Sequence, residues 1–167
     1  MRRPLAVIAA LALLALLLAG CGDDGSTDGE GQTFEPGTDS GTTAPDGLPE
    51  GVVVFSADEV AIDTSGNPVT WTPSADDVLA AEEALDAHLA AEAQPGSSPL
   101  EGYARQYVGI GPEDARLVSA NGLCDPDRIG DWEQTLIQVE DGGPCYWQAT
   151  VDAATGEIVD FAFNGEA

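Results

Sequence analysis

Hydrophobic positions fall into three regimes along the chain. From Leu5 to Leu18 they run without interruption by a charge, with Arg2 and Arg3 before them and Asp23 and Asp24 soon after. A membrane-spanning helix needs roughly 20 apolar residues, whereas the apolar region of an export signal is about 7–15 long and ends in small residues. The run is therefore expected to be an export signal covering residues 1–20, with Arg2 and Arg3 as an ordinary positive leader. Between residues 21 and 50 the large apolar side chains are Phe34 and Leu48 alone, among Gly, Asp, Glu, Thr, Ser and Pro. Such a composition cannot bury enough surface to offset its ordering entropy. It predicts a disordered acidic linker, whose average reach as a flexible coil would be roughly 30 Å. From Val52 onward the apolar positions recur with the periods of secondary structure.

Residues 51–167 are long enough for one domain with a core of its own. Val52–Phe55 and Pro68–Thr72 read as short extended segments separated by the turn residues Ser65-Gly66-Asn67. Ser74 followed by Asp77 makes a capping-box start, and Asp76 and Asp77 favour a helix N-terminus. Val78, Ala81, Leu85, His88 and Leu89 then share one helical face, and Pro95-Gly96 stops the helix. From Tyr103 the period becomes two, which predicts strands at Tyr103–Ile110, Arg116–Leu123, Trp132–Glu140, Cys145–Asp152 and Glu157–Phe163. Asp141-Gly142-Gly143-Pro144 and Ala153-Ala154-Thr155-Gly156 are the expected turns, with Gly156 at a left-handed position. In the last strand either Ile158 or Val159 belongs with Phe161 and Phe163 on the buried face. The expected fold is α+β: one helix across a curved antiparallel meander, an order similar to that of cystatin-like folds.

Charge narrows the range of partners. The chain has 30 acidic and 5 basic residues, the latter all Arg. Loss of residues 1–20 would leave Arg105, Arg116 and Arg128 and a formal charge of −27. Nucleic acid and bare anionic lipid are excluded as natural partners on that balance.

Leu18-Ala19-Gly20-Cys21 resembles the lipobox of bacterial lipoproteins. The resemblance implies cleavage between Gly20 and Cys21, a diacylglyceryl thioether on Cys21, and N-acylation of the new terminus. Each buried methylene contributes about 0.8 kcal/mol, so two or three chains hold a protein firmly. The expected location is the extracytoplasmic face of a cell membrane. With Cys21 lipidated, Cys124 and Cys145 remain, and an exported compartment permits a disulfide between them. The bridge would close a loop of about 22 residues, worth roughly 3 kcal/mol in the chain-entropy model.

Candidate chemistry is sparse. His88, the single histidine, sits at the margin of the helix's apolar face, where a structural role is expected. No G-x-S-x-G occurs, and no thiol is left for a Cys–His pair. Asp125 to Glu133 begins like a calcium loop, but Ile129 and Leu136 occupy positions that need oxygen ligands. No metal or cofactor is expected. Tyr103, Arg105 and Tyr107 lie on one face of a strand, placing a guanidinium between two phenols. Such an Arg is either pinned by stacking and a nearby carboxylate, or forms a recognition surface for a carboxylate or peptide.

Tyr103-x-Arg105-Gln106-Tyr107-x-Gly109, Asn121-x-x-Cys124, Trp132, Val139-x-Asp141-Gly142-Gly143-x-Cys145-Tyr146 and Asn164-Gly165-x-Ala167 together resemble a group of small exported bacterial proteins. The resemblance includes both cysteines and so implies their bridge, and it carries no activity. Val151-Asp152-Ala153-x-Thr155-Gly156-Glu157-Ile158 resembles the closing hairpin of PepSY domains, secreted modules associated with protease inhibition. The expected function is a non-catalytic, membrane-anchored domain that binds a peptide or protein through the Tyr103–Arg105–Tyr107 face or an edge strand. A carboxylate-based envelope enzyme and an acidic surface lipoprotein without a specific ligand are the alternatives.

Overall fold

The computed structural model describes residues 46–165, so the signal, Cys21 and most of the linker lie outside the described residues. The domain is α+β. Its helix, α1 (Ala75–Ala91), starts where its cap dictates: the Ser74 Oγ accepts from the Asp77 N–H at 3.3 Å, and the Asp77 carboxylate accepts from the Ser74 N–H at 2.9 Å. Val78, Ala81, Leu85 and Leu89 form its buried stripe. Among the described residues no helix is long and apolar enough to cross a membrane.

Six strands form one sheet: β1 (Val52–Val54), β2 (Val69–Trp71), β3 (Ala104–Ile110), β4 (Leu117–Leu123), β5 (Tyr146–Asp152) and β6 (Glu157–Phe163). The order is β1-β3-β4-β5-β6, with β2 on the same edge of β3 as an extra pairing. β3 to β6 form an antiparallel meander from four of the five strands expected there. β1, however, runs parallel to β3, pairing Val52 with Arg105, so the sheet is mixed. The chain between them passes through β2 and α1 before returning, a connection long enough for parallel neighbours.

The two faces of the sheet carry different cores. Val52, Val54, Trp71, Tyr103, Tyr107, Val118, Ala120, Trp147, Ala149 and Val151 pack under α1. Val53, Phe55, Val69, Val108 and Ile110 form a second cluster on the other face, covered by Val60, Trp132 and Leu136. Leu48 packs against the first cluster, so the ordered domain begins slightly before the linker boundary expected at residue 50.

The predicted strand Trp132–Glu140 does not form. β5 occupies the whole edge of β4, from Leu117↔Asp152 to Leu123↔Tyr146, and leaves no edge for another strand. After a single helical turn, α2 (Pro126–Ile129), the chain instead crosses the second face without regular structure. Its apolar spacing comes from Trp132 and Leu136 capping that cluster. Side chains of the sheet satisfy its backbone: Gln106 donates to the carbonyls of Trp132 and Thr135 and accepts from the Ile137 N–H, while Asn121 donates to the Ile137 carbonyl. Gly142 and Gly143 donate to the Gly165 carbonyl rather than closing a hairpin. Cys124 and Cys145 are bridged, with Cα atoms 5.0 Å apart, joining the end of β4 to the approach to β5.

A bulge resolves the ambiguity in the last strand. Ile158 pairs with Val151 and Asp160 with Thr150, leaving Val159 as the extra residue. It is 54% exposed, while Ile158, Phe161 and Phe163 all turn toward the α1 side.

Gly122 lies opposite Trp147, whose ring is fully buried over it. A methyl group at Gly122 would stand 2.0 Å from the indole, and the packed ring has nowhere to retreat. Gly122→Ala is expected to cost about 2–3 kcal/mol, read as a lower urea midpoint without a change in slope.

Candidate functional site

The Tyr103–Arg105–Tyr107 group lies together on the sheet face, but under α1 rather than open to solvent. Arg105 is 3% exposed, and both tyrosines are buried. The guanidinium meets Glu82 of α1 in a two-pronged pair, Nε to Oε1 at 2.9 Å and Nη2 to Oε2 at 3.1 Å. Its Nη1 donates to the Tyr103 carbonyl at 2.6 Å. The Tyr107 hydroxyl donates to Glu82 Oε1. Tyr103 looks elsewhere: its hydroxyl donates to the Pro144 carbonyl at 2.7 Å and accepts from the Ser98 N–H at 3.0 Å. The phenols therefore do not sandwich the guanidinium. As a recognition surface the group would have to displace the helix, because Glu82 occupies the position a ligand carboxylate would take.

Glu82 is the residue that sequence reasoning missed. It falls inside the apolar stripe, one turn after Val78, where a carboxylate needs a buried cation. That breach of the hydrophobic pattern was the available signal. Five residues earlier the buried Asp77 pairs with the partly exposed Arg116, whose guanidinium lies 5.9 Å over the Trp71 ring. Burial, and then the adjacent Glu82 charge, push the Tyr107 hydroxyl well above the usual tyrosine range.

Other sequence candidates also resolve into packing. His88 touches the Phe161 ring, with centroids 4.4 Å apart. Asp125, first in the calcium-like loop, faces Arg128 at 3.7 Å, and among the described residues no cluster of three acidic, His or Cys side chains could hold a metal. Asn164 donates to the Val139 carbonyl and Gly165 accepts from Gly142 and Gly143. The motif residues that looked like a site are thus joined to one another inside the fold.

Several open hollows border the domain, one of them of about 470 Å³ reaching Tyr103 and Arg105 from the Gly51 side, and two lie beside β6. A hollow of about 440 Å³ is lined by His88, Glu92 and Gln94 on one side and Ile158 to Phe163 on the other. A second, of about 550 Å³, continues past Gln94, Ala162 and Phe163 to Pro144 and Gly165. Their shared residues make one trough along the sheet edge. A separate groove of about 460 Å³ lies on the second face, between Glu59–Thr64 and Gln134–Gln138. No protein-family model, curated protein or solved structure matches the chain.

The buried hydroxyl gives a pH signature. Tyr107 holds its proton more tightly folded than unfolded, so its contribution is complete below about pH 10 and declines as pH rises above it. The chain has no Lys whose titration would overlap that of Tyr107. Stability should fall as pH rises above about 10, with a slope approaching about 1.4 kcal/mol per pH unit from this group. Tyr107→Phe should be less stable at pH 8 by about 1–2 kcal/mol, yet flatter across that window, when urea midpoints are followed against pH.

Proposed function

We propose that the chain is a lipid-anchored, extracytoplasmic binding protein whose domain contacts a peptide or protein through β6 and the trough beside it. The observation that carries this reading is a strand edge that, among the described residues, is unpaired at Phe161–Phe163 and is bordered by two connected hollows, in a domain whose other motif side chains are engaged internally. Leu18-Ala19-Gly20-Cys21 supports the anchor, with acyl chains on Cys21 holding the protein to the membrane. No catalytic step is assigned to the domain. The passage of α1 over the meander supports a cystatin-like relationship, from which the parallel β1 and the added β2 depart. The hairpin after β5 supports the likeness to PepSY modules: Asp152 accepts from the Ala154 and Gly156 N–H groups, and Gly156 is left-handed at φ 73°.

Two linked measurements test the reading in cells producing the full chain. Labelled palmitate should enter the wild-type protein but not Cys21→Ala, which should leave the membrane fraction. A photo-crosslinking residue at Val159 should capture a discrete partner from the envelope, whereas one at the exposed Leu79 of α1 should not. Capture from Ile62, on the second face, instead of Val159 would move the binding surface to the other groove. Capture from none would remove the binding role.

A further inference from the structure

The edge of β6 has a polarity that its sequence position does not reveal. Asn164 donates its N–H to the Tyr146 carbonyl at 2.9 Å, which fixes the alternation of the β5–β6 ladder. Ala162 opposite Gln148 and Asp160 opposite Thr150 belong to the same class as Asn164, with main-chain groups directed at β5. Phe161 and Phe163 therefore aim their N–H and C=O groups away from the sheet. No hydrogen bond from the described residues reaches those four groups.

Proteins usually blunt such an edge with charges, bulges or a covering segment. β6 is blunted along its first half by Glu157, the Val159 bulge and Asp160, and just past its end Asp141 pairs with Gly165, which leaves Phe161–Phe163 as the open stretch among the described residues. From Phe161 to Phe163 it is regular, and the trough against α1 runs beside it. Glu92 flanks this stretch on the helix side and Asp160 flanks it at the end of the bulge, while no Arg lines either hollow. A second copy of the chain would bring the same acidic edge against itself, with formal charges near −27 on each side after signal removal. The acidic border favours a cationic added strand over an acidic one.

We propose that the outer edge of β6 at Phe161–Phe163 takes an extended, lysine- or arginine-bearing segment of a partner protein as a seventh strand. The partner's main chain pairs with the outward groups of Phe161 and Phe163, and its basic side chains are neutralised by Glu92 and Asp160. This rests on the binding role proposed above and adds the chemistry of the occupant.

The probe is a synthetic octapeptide of alternating Lys and Val, added to the mature lipid-bearing protein in detergent micelles. Amide hydrogen exchange at Phe161 and Phe163 should slow by about tenfold or more at saturation. An otherwise identical peptide N-methylated at every residue keeps the charge but cannot donate, and a Glu–Val octapeptide keeps the donors but reverses the charge. Neither should protect the two amides, and Asp160→Asn should weaken binding of the Lys–Val peptide severalfold. Equal binding of the N-methylated peptide would reduce the effect to charge alone and overturn strand addition. Unchanged exchange at both amides would overturn it, as would protection without peptide that grows with protein concentration, which marks self-pairing. If Val159 still captured a partner while every peptide failed, the binding role would stand and this chemistry would fall.

Discussion

The domain is organised around one buried ion pair, Arg105 with Glu82. Bringing two charges out of water costs several kcal/mol each, and only good geometry with the remaining polar groups satisfied makes the arrangement tolerable. Those conditions are met: the pair is two-pronged, Tyr107 supplies a further donor to Glu82, and the Tyr103 carbonyl receives another guanidinium N–H. Such a constellation is satisfied in one relative position of helix and sheet. Arg105 sits on β3, the strand that β1, β2 and β4 all pair with, so fixing α1 against β3 fixes it against most of the sheet. Asp77, five residues before Glu82, pairs with Arg116 and secures the same helix at a second point.

The opposite face is held by polar contacts of another kind. Gln106 and Asn121, cross-strand neighbours on β3 and β4, take the place of a sheet ladder for a segment that has no strand to pair with. The Cys124–Cys145 bridge closes the ends of that segment, so its irregular path is pinned at both limits and in its middle. Consecutive residues of β3 thus serve opposite faces: Arg105 and Tyr107 the helix, Gln106 the loop. This division explains how a short polar motif comes to be buried inside a small domain.

Much of the fold was legible in the sequence because local rules and tertiary context agreed. The capping box at Ser74, the apolar stripe of α1 and the alternation from Tyr103 to Ile110 each specify an element that burial then reinforces. Trp132 to Glu140 failed because alternation reports which side chains are buried, not what satisfies the backbone, and the Gln106–Asn121 pair supplied that from elsewhere. The parallel β1 was invisible, since its three residues carry no sign of strand direction. For the site, the sequence showed that Tyr103, Arg105 and Tyr107 share a face but not that the face is covered. The acid at position 82, out of place in an apolar stripe, pointed to the cover. Val159, which lines the trough beside β6, is the bulge residue, and the pattern registered it only as one of two candidates for one position.

The most direct measurement of the account is a double-mutant cycle on Glu82→Gln and Arg105→Gln, read by urea denaturation. If the pair organises the domain, each single change leaves a buried group without its partner, and the double variant should be no less stable than the worse single one. The coupling energy would then be about 2 kcal/mol or more. Additive losses, with a coupling energy near zero, would mean that helix and sheet are aligned without this pair and would contradict the account.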